Sequence, residues 1–431
     1  MRRWSVVILC VVLVTLLSGC MMKTVDEMYR IPKRSEDSSN LQKAIDKAMV
    51  GLSYCAPIQG ENQQTVQMAD LNGDGVQEAL VFAKGSGERP LKVLVFFKKD
   101  GAYENTVVME ASGTDFEQVE YVEMDPKPGV EVVVGRKAGN EVLHSLSIYG
   151  FGGEAPTTML TVGYTRFLTL DLDRDLRREL VILRPGGDES NGVAELYDYT
   201  TDLIERVGEA PMSMPAERLK RIASGGMCSN YQAVFAASLY DEDTIVTDVY
   251  TVVQGRFTNV ALSNDSGTSV KTMRNYYVYG GDIDKDGLIE IPTQMGPEDG
   301  SEDILRWYNL LPTGEEVDKV YTYHNYPERW YVCLKKEWAE EIHVSQGKAL
   351  GKTQGYVFSL NDNVELFTIY ALTGEERQNL DQNSDMFVLK QTDEVVYAAV
   401  LGTGAQENGL DQQTLISSFN FIHEDWKTGE T

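Results

Sequence analysis

A nine-residue pattern of oxygen-bearing side chains returns along this chain. It reads Asp70-Leu-Asn72-Gly-Asp74-Gly75-Val76-Gln-Glu78, then Asp171-Leu-Asp173-Arg-Asp175-Leu-Arg177-Arg-Glu179, then Asp282-Ile-Asp284-Lys-Asp286-Gly287-Leu288-Ile-Glu290. Two degenerate copies fill the gaps. Glu123-Met-Asp125-Pro-Lys127-Pro-Gly129-Val-Glu131 carries a lysine at its fifth position, and Ser224 to Gln232 carries no carboxylate. The five starts at 70, 123, 171, 224 and 282 are 53, 48, 53 and 58 residues apart. A period near fifty is long enough for one four-stranded sheet, and such a unit buries both faces only by packing on its neighbours.

The segments between the loops read as strands rich in Val, Ile, Leu, Phe and Tyr, punctuated by Gly and Asp. The first unit places them at 65–69, 79–84, 91–98 and 103–110. The second uses 116–123, 131–136, 143–149 and 157–162, and the third 165–170, 179–183, 193–199 and 203–207. The fifth runs through 276–280, 290–292, 304–310 and 319–324. Beyond Pro327 the period stops, and residues 327–431 read as a small α+β module. Its strands are expected at 330–334, 356–360, 365–370, 386–390 and 395–400, with helical pieces at 374–380 and 412–419. Ahead of the repeats, Leu41, Ile45, Ala48 and Met49 stand at helical spacing, with Ser39 or Asn40 as N-cap.

Oxygen donors at alternate positions of a tight turn suit a hard cation such as Ca²⁺. An EF-hand needs Glu at position 12 of its loop and helices on both sides. Position 12 is Val81, Ile182 and Thr293, and the flanks are strands. A loop whose last acid stands at position 9 instead resembles the FG-GAP and VCBS-type repeats of integrin-like β-propellers. That resemblance covers residues 61–326. It implies a mainly β chain with a β-propeller of about five four-stranded blades. It also implies Ca²⁺ sites built from Asp70, Asn72, Asp74, Glu78 and the Val76 carbonyl; from Asp171, Asp173, Asp175, Glu179 and the Arg177 carbonyl; and from Asp282, Asp284, Asp286, Glu290 and the Leu288 carbonyl. The loops here end in Glu where that family has Asp. The middle one places Leu176 where Gly normally permits the turn. Lys127 offers an ammonium where an ion would sit. A purely hydrogen-bonded acidic turn is the alternative for each loop. Ca²⁺ at one hundred times its dissociation constant would stabilise by about 2.7 kcal/mol per site, a structural role.

The N-terminus has Arg2 and Arg3, an apolar stretch from Val6 to Leu17, then Ser18, Gly19 and Cys20. This reads as a secretory signal too short for a stable membrane span. Leu17-Ser18-Gly19-Cys20 resembles the lipobox of bacterial lipoproteins, which implies cleavage after residue 19, lipid on Cys20 and the extracytoplasmic face of the cell membrane. A polar spacer with a short helix would follow, over residues 20–60. The formal net charge is −27, and removing residues 1–19 takes away two Arg and no acid, leaving −29. That excludes nucleic acid as a partner. Of the remaining cysteines, Cys55, Cys228 and Cys333 are widely spaced and their pairing is not assignable.

The four histidines have no metal-ligand spacing, and neither a nucleophile elbow nor a phosphate-cradling loop occurs. The aromatic run Trp307, Tyr308, Tyr321, Tyr323, Tyr326, Trp330 and Tyr331 reads as packing of the last unit on the C-terminal module, with sugar stacking as the alternative. Trp330–Trp338, Phe367–Gly374 and Val395–Ala399, taken with the lipobox and repeats, resemble a lipoprotein family of Firmicutes that has no assigned activity. The expected role is a lipid-anchored binding or scaffold protein with an envelope protein or glycan as ligand. The alternatives are a polysaccharide lyase or glycosidase, and an envelope assembly factor.

Overall fold

A computed structural model describes residues 36–428, apart from breaks at 100, 140–143, 153–154, 188–190, 243, 275, 296–303, 362–363, 379, 381–383 and 424–426. The signal segment, Cys20 and the spacer up to residue 35 lie outside the described residues. Helix α1 spans Glu36–Ala48 and begins ahead of both expected caps. The first sheet holds β1 (Ser53–Tyr54), β2 (Val66–Ala69), β3 (Glu78–Lys84), β4 (Leu91–Lys99) and β5 (Ala102–Ala111). β1 and β2 pair with successive stretches of β3. The second holds β6 (Asp115–Val122), β7 (Glu131–Lys137), β8 (His144–Gly150) and β9 (Thr157–Tyr164). The third holds β10 (Arg166–Leu170), β11 (Glu179–Arg184), β12 (Val193–Tyr199) and β13 (Ile204–Pro211). The fourth holds β14 (Leu219–Cys228), β15 (Tyr231–Leu239), β16 (Ile245–Val253) and β17 (Arg256–Asn259). From β2 onward, consecutive strands within each of these sheets pair antiparallel.

The fifth unit departs from the sequence reading. The expected strand over 276–280 is reduced to β18 (Tyr276–Tyr277), which pairs with β29 (Lys427–Thr428) near the end of the chain. Gly281 bridges Glu290 across the loop. The sheet consists of β19 (Ile291–Gln294), β20 (Ile304–Leu310), β21 (Glu316–Asn325), β22 (Trp330–Leu334) and β28 (Phe419–Phe421). A division at 326 therefore cuts a hairpin, because His324 pairs with Tyr331 across the turn. The rest of the C-terminal region is mostly one further sheet: β23 (His343–Leu350), β24 (Thr353–Leu360), β25 (Val364–Thr373), β26 (Met386–Gln391) and β27 (Val395–Leu401), in the order β23-β24-β25-β27-β26. Among the described residues its α-helix is α2, Gln412–Ser418, capped by the Asp411 carboxylate accepting from Thr414 N, beside 3₁₀ turns at Lys336–Trp338 and Gly374–Gln378.

The six sheets stack face to face. Leu80, Phe82, Val93 and Val95 of the first pack with Val119, Val132 and Val134 of the second. Val133, Leu146 and Ile148 turn the other way to meet Leu180 and Ile182 of the third. Val181 and Leu196 meet Val234 and Tyr250 of the fourth, and Phe235 and Val249 meet Ile291 and Tyr308 of the fifth. Tyr321, Tyr323, Trp330 and Val332 pack with Phe358, Phe367 and Ile369 of the sixth. The aromatic run is thus largely interior, with Trp307 and Trp330 fully buried. At the near end, Ile45 of α1 covers Ala79, Val81, Leu94 and Phe96 on the first sheet's outer face.

A second periodic feature accompanies the loops. Phe96, Tyr149, Tyr197, Tyr250 and Tyr308 each stand 26 residues past the start of their repeat, counting from 70, 123, 171, 224 and 282. In four of the five the ladder slips just before this aromatic, between Val95 and Phe96, Ile148 and Tyr149, Leu196 and Tyr197, and Trp307 and Tyr308. A bulge there sharpens the twist of the strand pair.

Ile45→Ala removes the side chain that seats α1. Urea denaturation is expected to show a loss of roughly 2 kcal/mol, and an unchanged midpoint would mean that the helix contributes nothing to the first sheet.

Candidate functional site

The acidic loops are wired alike. The position-one Asp accepts two backbone N–H groups: Asp70 from Gly73 (2.8 Å) and Gly75 (2.9 Å), Asp171 from Arg174 (2.6 Å) and Leu176 (3.1 Å), and Asp282 from Asp286 and Gly287 (both 3.0 Å). The fifth-position carboxylates Asp74, Asp175 and Asp286 accept from Val76, Arg177 and Leu288 at 2.8–2.9 Å. Third-position Asn72, Asp173 and Asp284 accept from residues two further on, at 3.0–3.3 Å. The last acid forms the floor. Glu78, Glu179 and Glu290 are buried and accept from Leu71 (2.8 Å), Leu172 (2.6 Å) and Ile283 (3.1 Å). The degenerate second loop keeps this floor, with Glu131 accepting from Met124 N at 2.7 Å. Asx-type bonds of this kind shape turns without any ion.

The turn needs left-handed backbone at positions four and six. These are Gly73 and Gly75 (φ 72° and 83°), Lys285 and Gly287 (64° and 87°), and Arg174 and Leu176 (68° and 76°). The Leu176 side chain is 86% exposed, so no packing offsets its backbone strain.

The loops differ in what their carboxylates face. In the third, one oxygen from each of Asp171, Asp173, Asp175 and Glu179 lies within 4.8 Å of the others. In the last, only Asp282, Asp284 and Glu290 converge in this way. Asp286 forms an ion pair with Lys319, whose Nζ is also 3.6 Å from Asp284. In the first loop Asp70, Asp74 and Glu78 do not converge in this way among the described residues, and the Asn72 amide donates to Asp74 at 3.2 Å. In the second, Lys127 Nζ lies 3.5 Å from Asp125 and 3.1 Å from Asp202, as its place in the pattern suggested. Lys319 had no local signal, since it stands 33 residues past Asp286 and arrives on β21, beyond β20 in the sheet.

Adjacent loops touch, forming a row along one edge of the stack. A Cβ on Gly129 would lie 2.3 Å from Leu71 O. Arg178 N donates to Glu123 O (2.9 Å), Arg174 Nη1 to Asn230 Oδ1 (2.9 Å), and Ile289 N to Gly226 O (2.7 Å). The fourth repeat closes with a tight turn in which Asn230 takes a φ of 74°, so it serves the row without acids.

Other buried charges lie away from the row. Burial alone would raise the Glu195 carboxyl, but Arg184, Arg206 and Tyr197 donate to it and bring it down to about 2. Glu117 accepts from Tyr164 (2.5 Å) and pairs with His144. Asp248 takes Ser213, Ser269, Asn259 and Tyr250. Sequence spacing showed none of these, because each joins residues from separate strands. Cys55, Cys228 and Cys333 are free and half-buried.

No family model matches the chain, and no curated protein matches it. Among solved structures, Sqt1 of Chaetomium thermophilum is similar at 8% identity and a TM-score of 0.31, covering 80% of this chain and 97% of that one. The rhamnogalacturonan lyase YesW is similar at 12% identity and 0.27, covering 72% and 71%. The exotype lyase YesX is similar at 13% and 0.27, covering 81% and 72%. Likenesses this shallow bear on neither activity nor ligand.

Two outcomes are expected. Leu176→Gly relieves a left-handed non-glycine and should raise stability by roughly 0.5–1 kcal/mol in urea melts; a loss would show that Leu176 is not strained. Burial pushes Glu179 up to about 8 and Glu290 up to about 7, with the neighbouring acids adding to the effect. The folded metal-free protein therefore holds protons that the unfolded chain has released. This part of its stability is present near pH 4–5 and is lost as pH rises through 7 to 8. Melts in EGTA should slope downward across that window, and Glu179→Gln should flatten the slope.

Proposed function

We propose that this chain is a lipid-anchored extracytoplasmic binding or scaffold protein. It is held to the cell membrane by lipid on Cys20, its repeats are blades of a β-propeller, and Ca²⁺ stabilises the third loop and, in competition with Lys319, the last. The observation that carries the reading is that the loop acids are spent on their own turns. Backbone N–H groups, two lysines and Arg177 engage them, so they serve architecture, and the row of joined loops forms a continuous ligand-facing edge. An envelope protein or a glycan fits such an edge by shape and polarity; the net charge of −27 turns nucleic acid away. Four carboxylates around one point suit an oxygen-preferring cation.

The test uses the full chain in membranes. Palmitate labelling should depend on Cys20, and in-cell crosslinking from the loop edge, for example at residue 176, should capture a discrete envelope component. In the purified protein, Ca²⁺ should raise the melting temperature, and Lys319→Ala should enlarge that increase by freeing Asp284 and Asp286. Release of new reducing ends or unsaturated products from envelope polysaccharide would overturn the reading in favour of a glycosidase or lyase.

A further inference from the structure

A cavity of about 320 Å³ opens at the seam between the fifth and sixth sheets, beside α2. Its floor is apolar: Val320, Leu334, Trp338, Phe367 and Leu415 line it, and all but Val320 are buried in the inter-sheet core. Ligand pockets run from about 300 to 1,000 Å³, so this one suits a small molecule.

Its mouth is unusual for so acidic a chain. Lys285 lines it, and Lys390 reaches its rim by donating to Asn420 Oδ1 at 3.2 Å. Among the described residues neither lysine forms an ion pair. Burial, and after it the charge of Lys285, holds the Lys390 ammonium below its ordinary value. A third lysine, Lys335, is occupied by the Asn408 and Gly409 carbonyls at 2.7 and 2.8 Å and lies over the Trp338 ring. The carboxylates nearby are already engaged. Asp284 lies 3.6 Å from Lys319, and Asp411 caps α2. With 66 acidic and 39 basic residues in the chain, two lysines without an ion pair at the mouth of one apolar pocket, whose lining carboxylate Asp284 is shared with Lys319, leave a place for a further negative group. The repulsion between them falls when an anion bridges them.

We propose that this pocket binds a small organic carboxylate. Its apolar body would rest on the Trp338–Leu415 floor, and its carboxylate would lie between Lys285 and Lys390, with the Asn420 amide as a further donor. Lys285 belongs to the last acidic loop, but the pocket needs no ion there and Lys390 and Asn420 lie outside the loops, so failure of one reading leaves the other standing.

The test is calorimetric titration of the purified chain with octanoate, and with octan-1-ol and octylamine as neutral and cationic probes of the same length. Octanoate should bind at least tenfold more tightly than either. Lys285→Gln, on an exposed loop, should weaken octanoate at least fivefold while leaving octan-1-ol unchanged. Lys390→Gln should do the same, with melting curves confirming that both variants fold. Equal binding of the three probes, no binding of octanoate, or undiminished octanoate binding by both variants would each overturn the proposal.

Discussion

Every residue from Glu78 to Ala83 on β3, from Glu131 to Arg136 on β7 and from Glu179 to Leu183 on β11 is buried. A strand with both faces covered sits in a sheet that cannot stand alone, since either exposed face would leave a large apolar surface in water. Each unit must be followed by another. The stack obeys this to its ends: a sixth sheet covers the fifth, and α1 covers the outer face of the first. Terminal elements of repeat arrays must present a polar outer side, and the charged flank of α1, including Lys43, Asp46 and Lys47, does so.

The loops follow from the same burial. The first three lie at the turn into a buried strand whose first residue is the loop's last acid, Glu78, Glu131 or Glu179, and Glu290 stands one residue ahead of β19. A buried carboxylate is costly unless it is hydrogen-bonded. Glu78, Glu131, Glu179 and Glu290 each accept the N–H seven residues earlier, which closes the turn and places it against the next loop. The remaining carboxylates differ in what neutralises them. Lys127 stands at the second loop and Lys319 at the last, while in the third Asp175 pairs with Arg177 (3.3 Å) and stays clustered with Asp171 and Asp173 beside Glu179. One backbone shape therefore supports an ammonium-bridged turn, a purely hydrogen-bonded turn and a candidate cation site.

Most strands were legible because they alternate or run apolar between strong turn signals. Leu91 to Lys98 and Val193 to Tyr199 lie where the residues alone put them. Misreadings occurred where pairing was non-local. The stretch at 276–280 looks like its counterparts in earlier repeats, yet β18 joins a strand about 150 residues away. Trp330 to Leu334 reads as a new start after Pro327, but hydrogen bonding to β21 makes it part of the fifth sheet. No local pattern encodes which edge a strand will find.

By itself the sequence determined the repeat, the position of each turn and the side chains that close it. Those depend on residues within nine positions of one another, on the alternation of apolar groups and on left-handed positions such as Gly73 and Gly75. Only the tertiary structure decided that the C-terminal region supplies a sixth layer, that Lys319 neutralises the last loop, and that Lys285 and Lys390 come to the mouth of one apolar pocket. Each of these joins residues from 33 to more than 100 positions apart, brought together by the burial of whole sheet faces, and nothing in the neighbouring residues of either partner records the meeting.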